Sequence, residues 1–118
     1  CENGRITMQT TALALEIAKQ YLIDRTPENR MYLAYQFHAA LADMLYQACE
    51  KIREDTKIST CALSGGVFQN RLLTRMCRDK LSAAGFTVLL HSLIPPNDGG
   101  ICIGQAMYGA YYEKGAEA

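Results

Sequence analysis

Residues Ile58–Leu63 form a short apolar run that stops at Ser64-Gly65-Gly66 and passes into Val67-Phe68-Gln69-Asn70-Arg71-Leu72, where the apolar spacing turns helical. A buried strand feeding a helix through a glycine pair constrains this chain more than any other feature. It gathers backbone N–H groups and a helix N-terminus at the carboxyl end of the strand. Orphan donors and the helix dipole there favour an anion such as a nucleotide phosphate. Further on, Phe86-Thr87-Val88-Leu89-Leu90-His91 and Pro95-Pro96-Asn97-Asp98-Gly99-Gly100 repeat the design as strand, turn and helix. Two such turns on neighbouring parallel strands face one cleft.

The rest of the chain fits an α/β domain. Arg5-Ile6-Thr7-Met8-Gln9-Thr10 alternates, which predicts a first short strand running into a helix that carries Leu13, Ile17, Tyr21 and Leu22. Thr26-Pro27-Glu28 is a helix-start signal of cap, first-turn proline and acid. Ala34, Phe37, His38, Leu41, Leu45, Ala48, Cys49 and Ile52 then mark one apolar stripe on a long helix. Leu72, Leu73, Met76, Cys77 and Leu81 mark the next, closed by Gly85. Ile101, Ile103, Ala106, Met107, Ala110 and Tyr111 mark the last, and the tail from Glu113 is polar. The predicted order is β-α-α-β-α-β-α, with strands of the kind found in a parallel sheet covered by helices. A sheet of three strands is thin, and its first strand has a free edge. The order reads as an incomplete α/β half.

Composition excludes several function classes. The 118 residues make one domain or a piece of one, and 49% hydrophobic content supports a single modest core. Twelve basic and 12 acidic side chains cancel, so no general field draws a nucleic-acid backbone. No apolar run approaches the roughly 20 residues that cross a bilayer. Cys1-Glu2-Asn3-Gly4 is neither a signal sequence nor a Met start, so the chain reads as part of a longer polypeptide. The 5 cysteines are odd in number and none lie in a C-x-x-C pair, which fits small buried hydrophobes in a reducing cytoplasm.

Ser64-Gly65-Gly66-Val67-Phe68-Gln69-Asn70-Arg71, with Leu89-Leu90-His91 and Pro95-Pro96-Asn97-Asp98-Gly99-Gly100, resembles the C-terminal end of the hydrogenase-maturation carbamoyltransferases, the HypF family. Phe37-His38 fits as well, and the resemblance runs from the second helix to Tyr111. The related tRNA threonylcarbamoyl transferases usually carry alanines at the positions of Phe68 and Gln69 and differ around the aspartate, so they look less similar. The resemblance implies a three-layer, partial ribonuclease-H-like fold of the actin-like ATPase class, with a mostly parallel sheet flanked by helices. Residues 1–118 would be a single domain, the C-terminal half of a carbamoyltransferase domain.

What the resemblance implies about chemistry is two-staged. Carbamoyl phosphate and ATP give a carbamoyl adenylate, and the carbamoyl group passes to the C-terminal cysteine of a hydrogenase maturation partner. The residues expected to meet the nucleotide are Ser64, Gly65, Gly66 and Asn70. The plain alternatives are a tight turn for the glycines, a helix cap for Ser64 and a surface amide for Asn70. Asp98 matches a family ligand for a divalent metal (iron, zinc or magnesium), shared with histidines outside this chain. Read as a sequence, it is equally an N-cap, with Asn97 the cap if Asp98 is a ligand. His38 reads as a packed core histidine, and the role of His91 stays open. No catalytic nucleophile is expected here, because Cys61 points into the sheet by period. The expected partners are the other half of the same domain and the maturation protein, without nucleic acid or membrane, and a homodimer through the free sheet edge. Two alternatives belong to other classes: a non-catalytic nucleotide-binding or protein-interaction module, and half of another sugar-kinase-like phosphotransferase.

Overall fold

The computed structural model describes residues 6–116, with side chains through Tyr112. Its elements are α1 (Thr10–Ile23), α2 (Pro27–Thr56), β1 (Thr60–Leu63), α3 (Arg71–Ala83), β2 (Thr87–Leu90) and α4 (Ile101–Ala116). Short 310 turns, Gly66–Gln69 and Asp98–Gly100, precede α3 and α4. The predicted first strand is absent: Ile6–Gln9 is coil and the helix begins at Thr10, while Arg5 lies outside the described residues. Alternation alone does not make a strand, because an isolated run has no ladder partner to satisfy its backbone.

Local chemistry explains the helix ends. The Thr26 hydroxyl accepts the Asn29 N–H at 3.3 Å, with Pro27 in the first turn. After α3, Gly85 takes φ +82°, and the Phe86 N–H returns to the Leu81 carbonyl at 3.0 Å. Lys57 closes α2 at φ 61°, an unusual conformation for a residue with a Cβ.

β1 and β2 pair in parallel with Thr60 opposite Thr87 and Leu63 opposite Leu90. Helices α2 and α3 cover one face of this two-stranded sheet. Ala42, Leu63, Leu73, Cys77, Leu81 and Phe86 form the buried cluster, with Leu41, Leu45, Cys49, Cys61 and Val88 packed around it. The opposite face leaves Ala62 and Leu89 exposed, so two layers of the expected three are present among the described residues. The free sheet edges belong to β1 and β2 rather than to residues 5–10.

Arg53 joins the covering layer to the loop below it. Its guanidinium donates to the Ala84 carbonyl at 2.8 Å, pairs with Glu50 at 2.5 Å and sits 4.2 Å from the Phe86 ring centroid. Asp43 and Lys80 pair between α2 and α3. The apolar stripes on α1 and α4 behave differently: α1 has no buried residue, and Ile101, Ile103, Met107 and Tyr111 are all exposed. The radius of gyration, 18.3 Å, exceeds the roughly 13 Å of a compact domain of this length. Among the described residues no helix is long and apolar enough to cross a membrane.

Leu81 is fully buried and Leu93 is 97% exposed, which gives a matched pair for measuring the core. Leu81→Ala is expected to cost about 3 kcal/mol in chemical denaturation, and Leu93→Ala to change stability by less than about 0.5 kcal/mol.

Cys49 and Cys61 approach to 3.7 Å between sulfurs, as free thiols. Burial, and then the Cys61 contact, push the Cys49 thiol from 9.0 up to about 11. The unfolded chain therefore loses this proton at lower pH than the folded one. The stability this thiol contributes is complete below pH 9 and is lost as the pH climbs towards 11. Denaturant midpoints measured against pH should fall across that window, and less steeply in a Cys49→Ala chain.

Candidate functional site

The in-phase register of β1 and β2 sets the site. With Leu63 opposite Leu90, the next residues, Ser64 and His91, leave the sheet side by side, and His91 Nε2 lies 2.8 Å from Ser64 Oγ. Gly65 follows with φ +103°, a left-handed region that strains any residue with a Cβ. Its N–H donates to the Pro96 carbonyl at 2.8 Å. The two turns read from the sequence as facing each other are thus tied directly.

The chain does not enter α3 at the glycine pair, as the sequence pattern predicted. A 310 turn intervenes, and Asn70 caps the helix, its Oδ1 accepting the Leu72 and Leu73 N–H groups at 3.1 Å each. Two of the α3 donors expected to face an anion, the Leu72 and Leu73 amides, are thereby occupied. The donors left open at this turn include the Gly66 and Val67 amides, which begin the 310 turn and have no acceptor among the described residues.

The second turn is built around Asn97, whose Oδ1 accepts the Gly99 N–H at 3.0 Å. Asn97 is therefore the cap, and the Asp98 carboxylate makes no hydrogen bond or ion pair among the described residues. Gly100 has no room for a side chain: a Cβ would lie 2.8 Å from the Pro95 carbonyl oxygen and 3.0 Å from Ile94 Cγ2.

Between the turns lies an open cleft of about 340 Å³ lined by Ser64, Gly65, His91, Pro96, Asn97 and Asp98. It sits at the carboxyl ends of both strands, the usual ligand position in open parallel sheets. Of the residues singled out in the sequence, Ser64, Gly65 and Asp98 come together here. Gly66 lies one residue beyond the lining, and Asn70 turns to His38, its Nδ2 2.7 Å from Nε2. One hydrogen of the Asn70 amide is left for a ligand.

A larger hollow of about 750 Å³ lies between α2 and α3, bordered by Tyr35, Asp43, Arg75, Asp79 and Lys80. Its charges already pair, Asp43 with Lys80 and Arg75 with Asp79. It is a groove between helices rather than a second site. Among the described residues no cluster of three or more His, Cys, Asp or Glu side chains is placed to hold a metal. Asp98 offers one carboxylate, and one carboxylate does not make a metal site.

Residues 2–105 match the family model described as carbamoyltransferase, Kae1-like domain, second subdomain. The chain belongs to this carbamoyltransferase family. Over 100 residues it is 32% identical to a probable carbamoyltransferase HypF of Methanocaldococcus jannaschii, a match covering 85% of this chain and 13% of that protein. A tRNA N6-adenosine threonylcarbamoyltransferase of Francisella tularensis subsp. novicida is 33% identical over 75% of this chain and 26% of its own length. The fold superposes on a crystal structure of full-length HypF in the phosphate- and nucleotide-bound form with a TM-score of 0.71. That match is 40% identical and covers 77% of this chain and 12% of the other. HypF of T. kodakarensis superposes with a TM-score of 0.67 at 29% identity, over 86% of this chain and 13% of the other. The chain thus spans 13% of the length of the archaeal relative. These likenesses carry the actin-like α/β class that the sequence resemblance implied.

Sequence reasoning left His91 open and missed Pro96. The signal for His91 was available: aligning the two apolar runs in phase puts the serine ending one beside the histidine ending the other. Pro96 acts through its backbone carbonyl, which no side-chain pattern reports.

Asn70 both caps α3 and holds His38, so Asn70→Ala should cost about 2 kcal/mol in thermal or chemical unfolding. Asn70→Asp, which keeps the capping oxygen but loses the donor to His38, should cost less.

Proposed function

We propose that this chain supplies one wall of the nucleotide cleft of a carbamoyltransferase that uses carbamoyl phosphate and ATP. The carbamoyl group would pass to the C-terminal cysteine thiolate of a hydrogenase maturation partner. The observation carrying this reading is that Ser64, Gly65 and Asp98, from two turns far apart in sequence, line one cleft at the carboxyl ends of parallel strands. Family membership and the nucleotide-bound state of a HypF relative support it.

In this scheme the wall binds and orients. The Gly66 and Val67 amides donate to phosphate oxygens, and Ser64 offers its hydroxyl to phosphate or ribose. Gly65 keeps the backbone close to the ligand. Preorganised donors of this kind stabilise charge that develops during acyl transfer without moving. Asp98 would contribute one ligand to a divalent metal, iron, zinc or magnesium, whose other ligands come from outside this chain. The attacking thiolate also comes from outside. Cys61 packs against the core and burial holds the Cys49 and Cys77 thiols above their ordinary value, which leaves them poor nucleophiles. Free thiols at Cys49, Cys61, Cys77 and Cys102 suit a reducing, cytoplasmic setting.

Amide NMR titration of the chain with ATP and ADP, with and without magnesium, tests the reading. Saturable shifts are expected at Gly65, Gly66, Val67 and the Asn97–Gly100 turn. A folded chain with no saturable shift there would remove the nucleotide claim.

A second reading rests on the open outer edges of β1 and β2. Unpaired ladder groups on both edges template pairing with another copy of the chain. Sedimentation against concentration decides it, since edge pairing predicts a dimer and a strict monomer rules it out.

A further inference from the structure

The chain has 2 histidines, and each spends its Nε2 on a polar residue at one end of the glycine loop. His91, just past β2, meets Ser64 at the start of the loop at 2.8 Å, while His38, midway along α2, meets Asn70 at its end at 2.7 Å. Between them the Gly65 N–H is held by Pro96. The segment Ser64–Asn70 is therefore fastened at its start, by His91 and Pro96 of the connection after β2, and at its end, by His38 of α2.

The proton positions on the His38 side follow from the contacts. The Ala34 carbonyl can only accept, so His38 Nδ1, 2.7 Å away, carries a proton. In the neutral ring Nε2 is then a bare lone pair, and the Asn70 amide nitrogen donates to it. The Asn70 orientation agrees independently, because its Oδ1 must face the Leu72 and Leu73 N–H groups. One polar chain thus runs from the backbone of α2 through the imidazole and the Asn70 amide to the first turn of α3. A doubly protonated His38 would set N–H against N–H and break it. At the other end, Ser64 both donates and accepts, so His91 can orient its hydroxyl in either sense.

We propose that His38 and His91 are positioning residues that fix the Ser64–Asn70 loop from outside the cleft and from its rim, so that the Gly66 and Val67 amides and the Ser64 hydroxyl are held in place before a ligand arrives. The inference rests on the nucleotide reading only for what the loop is held to bind; the clamping is a property of the free chain. A merely structural histidine would stabilise the whole fold, whereas a positioning histidine acts on this loop.

The test uses the full chain and has two separable readouts. Long-range proton–nitrogen spectra of the histidine rings, without ligand, should place the proton of the neutral His38 ring on Nδ1. Exchange of the hydrogen-bonded loop amides of Gly65, Phe68 and Asn70 should quicken about fivefold to tenfold in His38→Ala and His91→Ala, the scale of one lost hydrogen bond. His38→Gln and His91→Gln, which place a polar atom where Nε2 stood, should restore the slow exchange. ATP with magnesium should bind more weakly to the alanine variants and recover in the glutamine variants. A neutral His38 protonated on Nε2, or loop amides indifferent to both alanine changes, would overturn the proposal. The ring spectrum of the unaltered chain decides even if an alanine variant fails to fold. Loop exchange that responds as expected in a chain that binds no ATP supports the clamp and defeats the nucleotide reading, so the two fail separately.

Discussion

The register of one pair of strands governs the whole arrangement. β1 and β2 are only four residues each, yet their in-phase parallel pairing decides which residues meet at the strand ends. A slip of β1 by one position would turn Cys61 and Leu63 out of the core and carry Ser64 away from His91. The register is held by burial beneath α2 and α3 more than by the short ladder itself. Leu81 and Cys77, the most buried large side chains, come from α3 and sit over the strands. Arg53 adds a fastening from α2 to the loop ahead of β2, so the helices fix the approach of both strands.

Much of this was legible from residues alone. The α3 stripe of Leu73, Cys77 and Leu81 carries a clear helical period and is buried as read. Thr26-Pro27 and Gly85 mark real helix ends because their chemistry is local and needs no tertiary partner. Asn97, not Asp98, caps the second turn, the arrangement that leaves the carboxylate free. The failures share a different cause. Residues 6–9 alternate as a strand should, but nothing among the described residues pairs with them. The stripes on α1 and α4 are apolar without being buried, because periodicity reports which face wants cover and not whether cover is there.

The site was half legible for the same reason. Ser64, Gly65 and Asp98 were chosen from two turn motifs, and the register brings them to one cleft. Asn70 was chosen from the same motif, but its side chain caps α3, a local contact, and meets His38, a contact that depends on where α2 packs. The 310 turn between Gly66 and Gln69 ends at that cap, a helix-start signal in Asn70 that was read as a nucleotide contact or a surface amide. Local turn chemistry can be read off a chain; the side chain that arrives from another helix cannot.

The uneven burial of the elements has a consequence for how the molecule comes apart. α1 buries no residue, while α3 contributes three to the core. Opening α1 costs little apolar area, whereas opening α3 exposes the sheet beneath it. The chain is therefore a ladder of stabilities rather than one cooperative block. Its least secure rungs are α1 and α4, neither of which has a buried side chain among the described residues, and α4 leads straight out of the second turn, so fraying there begins beside the cleft.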